Sequence, residues 1–268
     1  MVAALAMLAW SGSVKAGNAV KMIPDPHSRV LAITECQGQH KPFSDAALKW
    51  LIEESQVQNF SLQVLNSAKL LADPSVLEET DLVIQLDFPP YTWPKEAELN
   101  FIKYMEEGRG GWIGFHHATL LGEFDGYPIW QWFSDFMGGI RFKNYIAGLA
   151  DGTVVTEDST HPVMRGVSPS FVLADDEWYT YDKSPRPNVH VLARVNESTY
   201  SPASDIKMGD HPVVWVNESK PTRNVYFQMG HSPKLFLSDD FKKMFGNAIG
   251  WTLKRQEAIE EAPAASDK

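Results

Sequence analysis

Apolar and polar positions alternate along the first half of the chain in blocks, and the blocks fall into two periods. Residues 29–34 form a short apolar run, Arg29-Val30-Leu31-Ala32-Ile33-Thr34, followed by the polar loop Glu35 to His40. That pattern predicts a buried strand ending in an exposed loop. Ser44-Asp45 then offers an N-cap, and 46–54 carries Leu48, Leu51 and Ile52 on one helical face. Residues 60–65 alternate as a second strand. Residues 82–86 form a third, ending in Asp87-Phe88-Pro89-Pro90. Pro94 suits the first turn of a helix over 95–108, which Gly108 closes. A fourth apolar run, Gly110-Gly111-Trp112-Ile113-Gly114-Phe115, stops at His116-His117-Ala118. Strand and helix alternating at this spacing predict an α/β fold with a mainly parallel central sheet and crossover helices.

The second half is patterned less regularly. Tyr127, Trp130, Trp132, Phe133 and Phe136 crowd into 127–137, which reads as an amphipathic helix on the sheet, ended by Gly138-Gly139. Residues 153–156, 189–195, 213–217 and 224–228 are β-branched and apolar enough for strands. Residues 241–254 read as a final helix with Phe245, Ile249 and Trp251 partly inward, and 257–268 as a flexible tail. With no repeat and no clear linker, 29–254 is expected to be one domain.

The pattern puts its most reactive residues at one place. In an open parallel sheet, ligands bind beyond the carboxyl ends of the strands. His40, Asp87 and His116-His117 all sit in loops at those ends. Adjacent side chains on a strand point to opposite faces, so both histidines reach one site only if the chain turns there. A strand-to-helix elbow is therefore expected at His116-His117. Gly230-His231-Ser232 ends the 224–228 strand and belongs to the same group.

Composition narrows the classes. The net charge of −10 comes without a basic patch, against a nucleic-acid partner. A single cysteine, Cys36, excludes an internal disulfide and a Cys-based zinc cluster. Residues 2–10 are apolar but too short to span a membrane. With the small-residue site Val14-Lys15-Ala16, residues 1–16 resemble a signal peptide lacking its basic start. The expected location is periplasmic or secreted, with the cytoplasm as the alternative.

Several chemistries remain open. Histidine carries protons near neutral pH and is the commonest metal ligand. Asp175-Asp176-Glu177-Trp178-Tyr179 places carboxylates beside aromatics, which combines acid–base work with a stacking surface or, equally, forms a solvated turn before a buried Trp. His161-Pro162 lies in a turn and reads as structural. His211-Pro212 begins a strand and is either the rim of a site or its support. No Ser or Cys stands on the elbow, and there is no phosphate loop or dinucleotide fingerprint, so nucleophilic acyl transfer is disfavoured.

The ordered set is His40, Gly110 to Ala118, Asp158-Ser159-Thr160-His161-Pro162-Val163, Asp176 to Tyr179, His211 to Trp215 and Val225 to His231. It resembles the trehalose-utilisation (ThuA-like) family from about residue 29 to 254. The resemblance implies a flavodoxin-like three-layer sandwich of the class I glutamine-amidotransferase-like superfamily, without the amidotransferase's catalytic cysteine. It implies a part in carbohydrate utilisation, on trehalose-type sugars or 3-keto-glycosides. The loop Gln37-Gly38-Gln39-His40 departs from the aromatic and basic residues that the family usually carries before this histidine. On this footing the chain is expected to be a hydrolase, lyase or isomerase of a small sugar or glycoside. His117, His116 and Glu177 would be catalytic, and His40, His231, Tyr179, Trp178, His211 and Trp130 would bind the substrate. A non-catalytic sugar-binding module is the alternative. The metal-free reading is preferred because no HExxH-type spacing is present. A divalent ion on His116, His117 and Glu177 is its variant, with ligand types that suit zinc. The oligomeric state is left open.

Overall fold

The computed structural model describes residues 28–254. The expected leader (1–16) and the tail (257–268) lie outside the described residues. Strand β1 (Ser28–Ile33) pairs in parallel with β2 (Phe60–Leu65) on one side and β3 (Leu82–Gln85) on the other. Beyond β3 come β4 (Gly111–Phe115) and then β11 (Asn224–Phe227), still parallel. The sheet continues with four antiparallel strands: β10 (Pro212–Val216), β9 (His190–Ser201), β6 (Ala150–Thr156) and β7 (Ser170–Asp176). A separate two-stranded sheet pairs β5 (Phe142–Tyr145) with β8 (Tyr179–Tyr181).

The helices cover both faces, giving the three-layer α/β sandwich. Helices α1 (Lys41–Gln58) and α5 (Asp239–Thr252) close one core with Phe43, Leu51, Phe241 and Phe245. Helices α2 (Pro74–Glu78), α3 (Lys95–Glu106) and α4 (Gln131–Phe136) close the other, with Leu77, Phe101, Tyr104, Phe133 and Phe136. Strand alternation feeds the two cores. On β4, Trp112 joins the α3–α4 core while Ile113 and Phe115 join the α1–α5 core. On β11, Tyr226 and the pair Val225 and Phe227 divide the same way.

Helix α1 begins three residues earlier than the expected Ser44 cap. Pro42 stands in its first turn, where the missing N–H costs nothing, and Ser44 is buried within the helix. Helix α4 is shorter than the aromatic run. Gly126 at φ +83° and the proline at 128 hold the chain out of helix before Trp130. Gly114 is required by its neighbour: a Cβ there would lie 2.1 Å from the Trp112 ring.

Candidate metal centre and active site

The elbow forms where the sequence pattern places it. Strand β4 ends at Phe115, and His116 opens a 3-10 turn, His116–Thr119, with φ at +38°. A non-glycine residue in this region costs about 1–3 kcal/mol and persists only where its surroundings fix it. Here the Tyr226 hydroxyl donates to the His116 carbonyl at 3.0 Å. Gly230 packs so closely that a Cβ on it would stand 2.8 Å from the Cβ of His116.

Five of the expected side chains meet above this elbow. His40 follows β1 and stands at the N-cap position of α1, its side chain making no capping bond. His116 and His117 follow β4, and His231 follows β11. The ring centroid of His40 lies 5.0 Å from that of His116, 3.9 Å from His117 and 4.4 Å from His231. Glu177 enters from the short link between β7 and β8. Its Oε2 is 3.1 Å from His116 Nε2 and 3.4 Å from His231 Nδ1. Ligating atoms of His40, His116, Glu177 and His231 all lie within 4.8 Å of one another.

Backbone carbonyls orient the rings. His116 Nδ1 is 2.9 Å from the Gln228 carbonyl oxygen, and His117 Nδ1 is 2.7 Å from that of Asp87. A carbonyl only accepts, so each Nδ1 carries a hydrogen, and a ring with that single proton keeps a lone pair on Nε2. Asp176 fixes Glu177 against His231. Its buried carboxylate accepts from the backbone N–H groups of Gly230 (3.2 Å), His231 (2.9 Å) and Ser232 (3.0 Å), tying the end of β7 to the loop after β11. Sequence reasoning missed this role, although the run of three acidic residues at 175–177 was its signal. It also missed the carbonyls of Asp87 and Gln228, which no side-chain pattern reveals.

Burial sets the charges. It pulls His40 down to about 2, aided by His116, His117 and His231. It pulls His117 down to about 3, with His116 adding to the effect. Both rings are neutral at neutral pH. Burial opposes ionisation of Glu177, but contacts with His116 and His231 outweigh it and hold the carboxyl well below the usual range. Burial pushes the Asp176 carboxyl up, against His116 and its own backbone donors.

Three expected substrate contacts are corrected. Trp178 is fully buried, its Nε1 donating to the Ala150 carbonyl at 3.0 Å, so it has no face to offer a sugar. Trp130 packs into the α3–α4 core against Trp93, Trp132 and Phe133. His211 is buried behind the site, held by Glu197 at 2.8 Å and by the Tyr179 carbonyl at 2.8 Å. It supports Tyr179 and does not line the rim. Tyr179 is itself buried, with its ring centroid 4.0 Å from that of His116. The expected metal set changes too. His117 stands outside the fourfold group, and His40 and His231 stand inside it. A groove of about 700 Å³ between α1 and α5, lined by Trp50, Glu54 and Lys242, holds none of these residues.

The family model for ThuA, described as trehalose utilisation, matches residues 29–252, and the chain belongs to that family. By sequence, no curated protein matches the chain. Among solved structures, a ThuA-like protein of Bacteroides uniformis is 27% identical with a TM-score of 0.75, covering 88% of this chain and 95% of its own. A ThuA-like protein of Parabacteroides merdae is 18% identical with a TM-score of 0.65, over 86% of this chain and 91% of its own. A β-galactosidase of Bacillus circulans shares the fold alone, at 13% identity and a TM-score of 0.53, over 86% of this chain and 31% of its own. Among the described residues, no helix is long and apolar enough to cross a membrane.

Proposed function

We propose that the chain is a carbohydrate-processing enzyme whose reaction centre is the crevice shared by His40, His116, His117, Glu177 and His231. It acts by proton transfer on a small sugar or glycoside, of trehalose type or its 3-keto form. The observation that carries this reading is the convergence of four imidazoles and one carboxylate on an elbow that bears no Ser or Cys. Membership of the trehalose-utilisation family supports the sugar. The apolar 2–10 run and Val14-Lys15-Ala16 support export, so the reading places the reaction in the periplasm or outside the cell.

The carboxylates favour one reaction class. Direct glycoside hydrolysis uses two carboxyl groups flanking the bond. Among the described carboxylates, Glu177 is the one in the cluster. Asp176 is committed to three backbone N–H groups, and Asp87 accepts from the Glu35 N–H at 2.7 Å. A base beside a sugar carbonyl instead permits elimination or isomerisation. His117 is placed to act as that base, and negative charge developing beside it in the reaction would raise a ring that burial holds at about 3 in the free protein. Its Nδ1 is fixed, its Nε2 is unprotonated, and its ring is neutral.

Incubating the protein with trehalose, sucrose and their 3-keto forms in deuterated water, read by mass spectrometry, tests this. Product formation with deuterium uptake is expected, and His117→Ala should lower its rate by about 100-fold or more. The reading fails if a His117→Ala, Glu177→Ala double variant matches the parent. Saturable binding of intact sugar with no product would make the chain a binding module.

A further inference from the structure

We infer that His40, His116, His231 and Glu177 together bind one divalent transition-metal ion, leaving His117 outside the coordination sphere to move protons. The role of the ion in turnover rests on the reading of this crevice as a reaction centre, but its binding does not.

The first argument is a mismatch of donors and acceptors. His116 Nδ1 gives its hydrogen to the Gln228 carbonyl. In the neutral ring, Nε2 is then a lone pair, and it faces the Glu177 carboxylate at 3.1 Å. Two acceptors at that distance repel unless a cation lies with them. A second proton on His116 would satisfy that one contact. It would leave His40 Nε2 without a partner and His231 Nδ1 in only a long, poorly aligned contact with Glu177. His40 Nε2 is buried with no hydrogen-bond partner, and buried His231 Nδ1 has only the Glu177 carboxylate at 3.4 Å, outside hydrogen-bond geometry. Buried polar atoms left unpaired cost about 1–3 kcal/mol each and are rare in native proteins. A single ion among the four residues satisfies all of these atoms at once.

Geometry gives the second argument. Tetrahedral zinc with bonds of about 2.1 Å places its ligand atoms roughly 3.4 Å apart. The 3.1 Å from Glu177 Oε2 to His116 and the 3.4 Å from the same oxygen to His231 already match that spacing. A modest closure from 4.8 Å brings the widest pair into range. The carbonyl behind His116 is the outer partner that metal-bound imidazoles ordinarily have.

Donor chemistry selects the ion. Three imidazoles and one carboxylate suit zinc or another borderline first-row ion. Calcium and magnesium prefer all-oxygen sites. The four ligands come from three loops at the sheet edge and from the β7–β8 link, which explains why no local spacing signals the site. An ion here could also accept a sugar carbonyl or hydroxyl oxygen as a further ligand.

The test uses the full chain stripped with a chelator and titrated with Co²⁺. Visible absorption reads the coordination, and calorimetry reads the stoichiometry. One ion per chain is expected, with a ligand-field spectrum of low coordination number. His40→Ala, His231→Ala and Glu177→Gln should each weaken binding by more than the roughly 10–100-fold typical of an outer-sphere change. His117→Ala should retain both the stoichiometry and the spectrum. Circular dichroism keeps loss of binding distinct from loss of fold, and Glu177→Gln supplies a nearly isosteric variant. The inference is overturned if the stripped protein takes up no ion. It is equally overturned if folded His231→Ala and Glu177→Gln bind as tightly as the parent. A bound ion with no turnover of any sugar would sink the proposed function and leave the metal site standing. Turnover unaffected by chelation in a metal-free chain would do the reverse.

Discussion

His161 shows how much a single ring can depend on its protonation. Its Nδ1 accepts the Val163 N–H at 3.2 Å and so caps the 3-10 turn Pro162–Met164. A protonated ring cannot accept. Burial, with His190 adding to it, pulls the ring down to about 4 from an ordinary 6.5. The unfolded chain therefore binds a proton below about pH 6.5 that the folded chain refuses until about pH 4, and stability is lost as pH falls through that window. His161→Asn keeps a side-chain acceptor and removes the titration. Its unfolding midpoint should fall less than the parent's between pH 6.5 and 4, as read by urea unfolding, and an NMR titration should place the parent ring near 4. Equal pH dependence in both proteins would contradict this account. The same reading of His161 as structural was available from the turn motif around it. The burial that controls its protonation was not.

The element that most controls the site is the link from β7 through Glu177 to β8. Asp176 holds it to the loop after β11 by three backbone hydrogen bonds, and Lys234 pairs with Asp175 beside it. Asp176→Asn presents an NH₂ group where a carboxylate oxygen accepts, so at least one buried N–H loses its partner. A loss of about 1–3 kcal/mol in chemical unfolding is expected. It should come with a larger loss of metal affinity than any surface substitution causes, because Glu177 and His231 separate. Unchanged stability and affinity would show that the link is held by packing alone. Elements differ in how well the linear pattern announces them. Strands β1, β3 and β4 lie inside the sheet and continuous apolar runs mark them, whereas β2 is an edge strand, half-exposed, and shows only as an alternation. β7 is an edge strand with the exposed Val172 among its apolar residues, and the sequence pattern marks only the acidic run at its end, as a functional group or a turn, and not the strand itself. The start of α1 was read late because Ser44 looks like a cap, while Pro42 and the packing of Phe43 decide otherwise.

At the scale of the molecule, one nine-stranded sheet carries two cores, and the site lies along its carboxyl edge. Cutting into either core should therefore weaken both. Phe133 is fully buried against Phe101, Trp112 and Trp130 in the α3–α4 layer. Phe133→Ala is expected to cost about 3–5 kcal/mol. Calorimetry should show a single transition shifted to lower temperature. Two transitions, with one unmoved, would mean that the layers unfold separately and that 29–254 is not one cooperative domain.

Pattern alone determined the α/β class, the four leading strands, the elbow after β4, and His40, His116, His117 and His231 as residues at strand ends. These follow from local rules, since apolar period, glycine bounds and strand polarity are properties of adjacent residues. Tertiary structure decided the rest. Trp130 and Trp178 could each have stacked on a ligand or filled a core, and only their neighbours set their burial. Four strands run antiparallel because hydrogen-bond pairing across the sheet is a long-range choice that short apolar runs do not encode. The fourfold group of His40, His116, Glu177 and His231 spans 191 positions of chain, from 40 to 231. Its members meet because the parallel strands deliver their ends to one edge, and because Asp176 draws Glu177 onto His231.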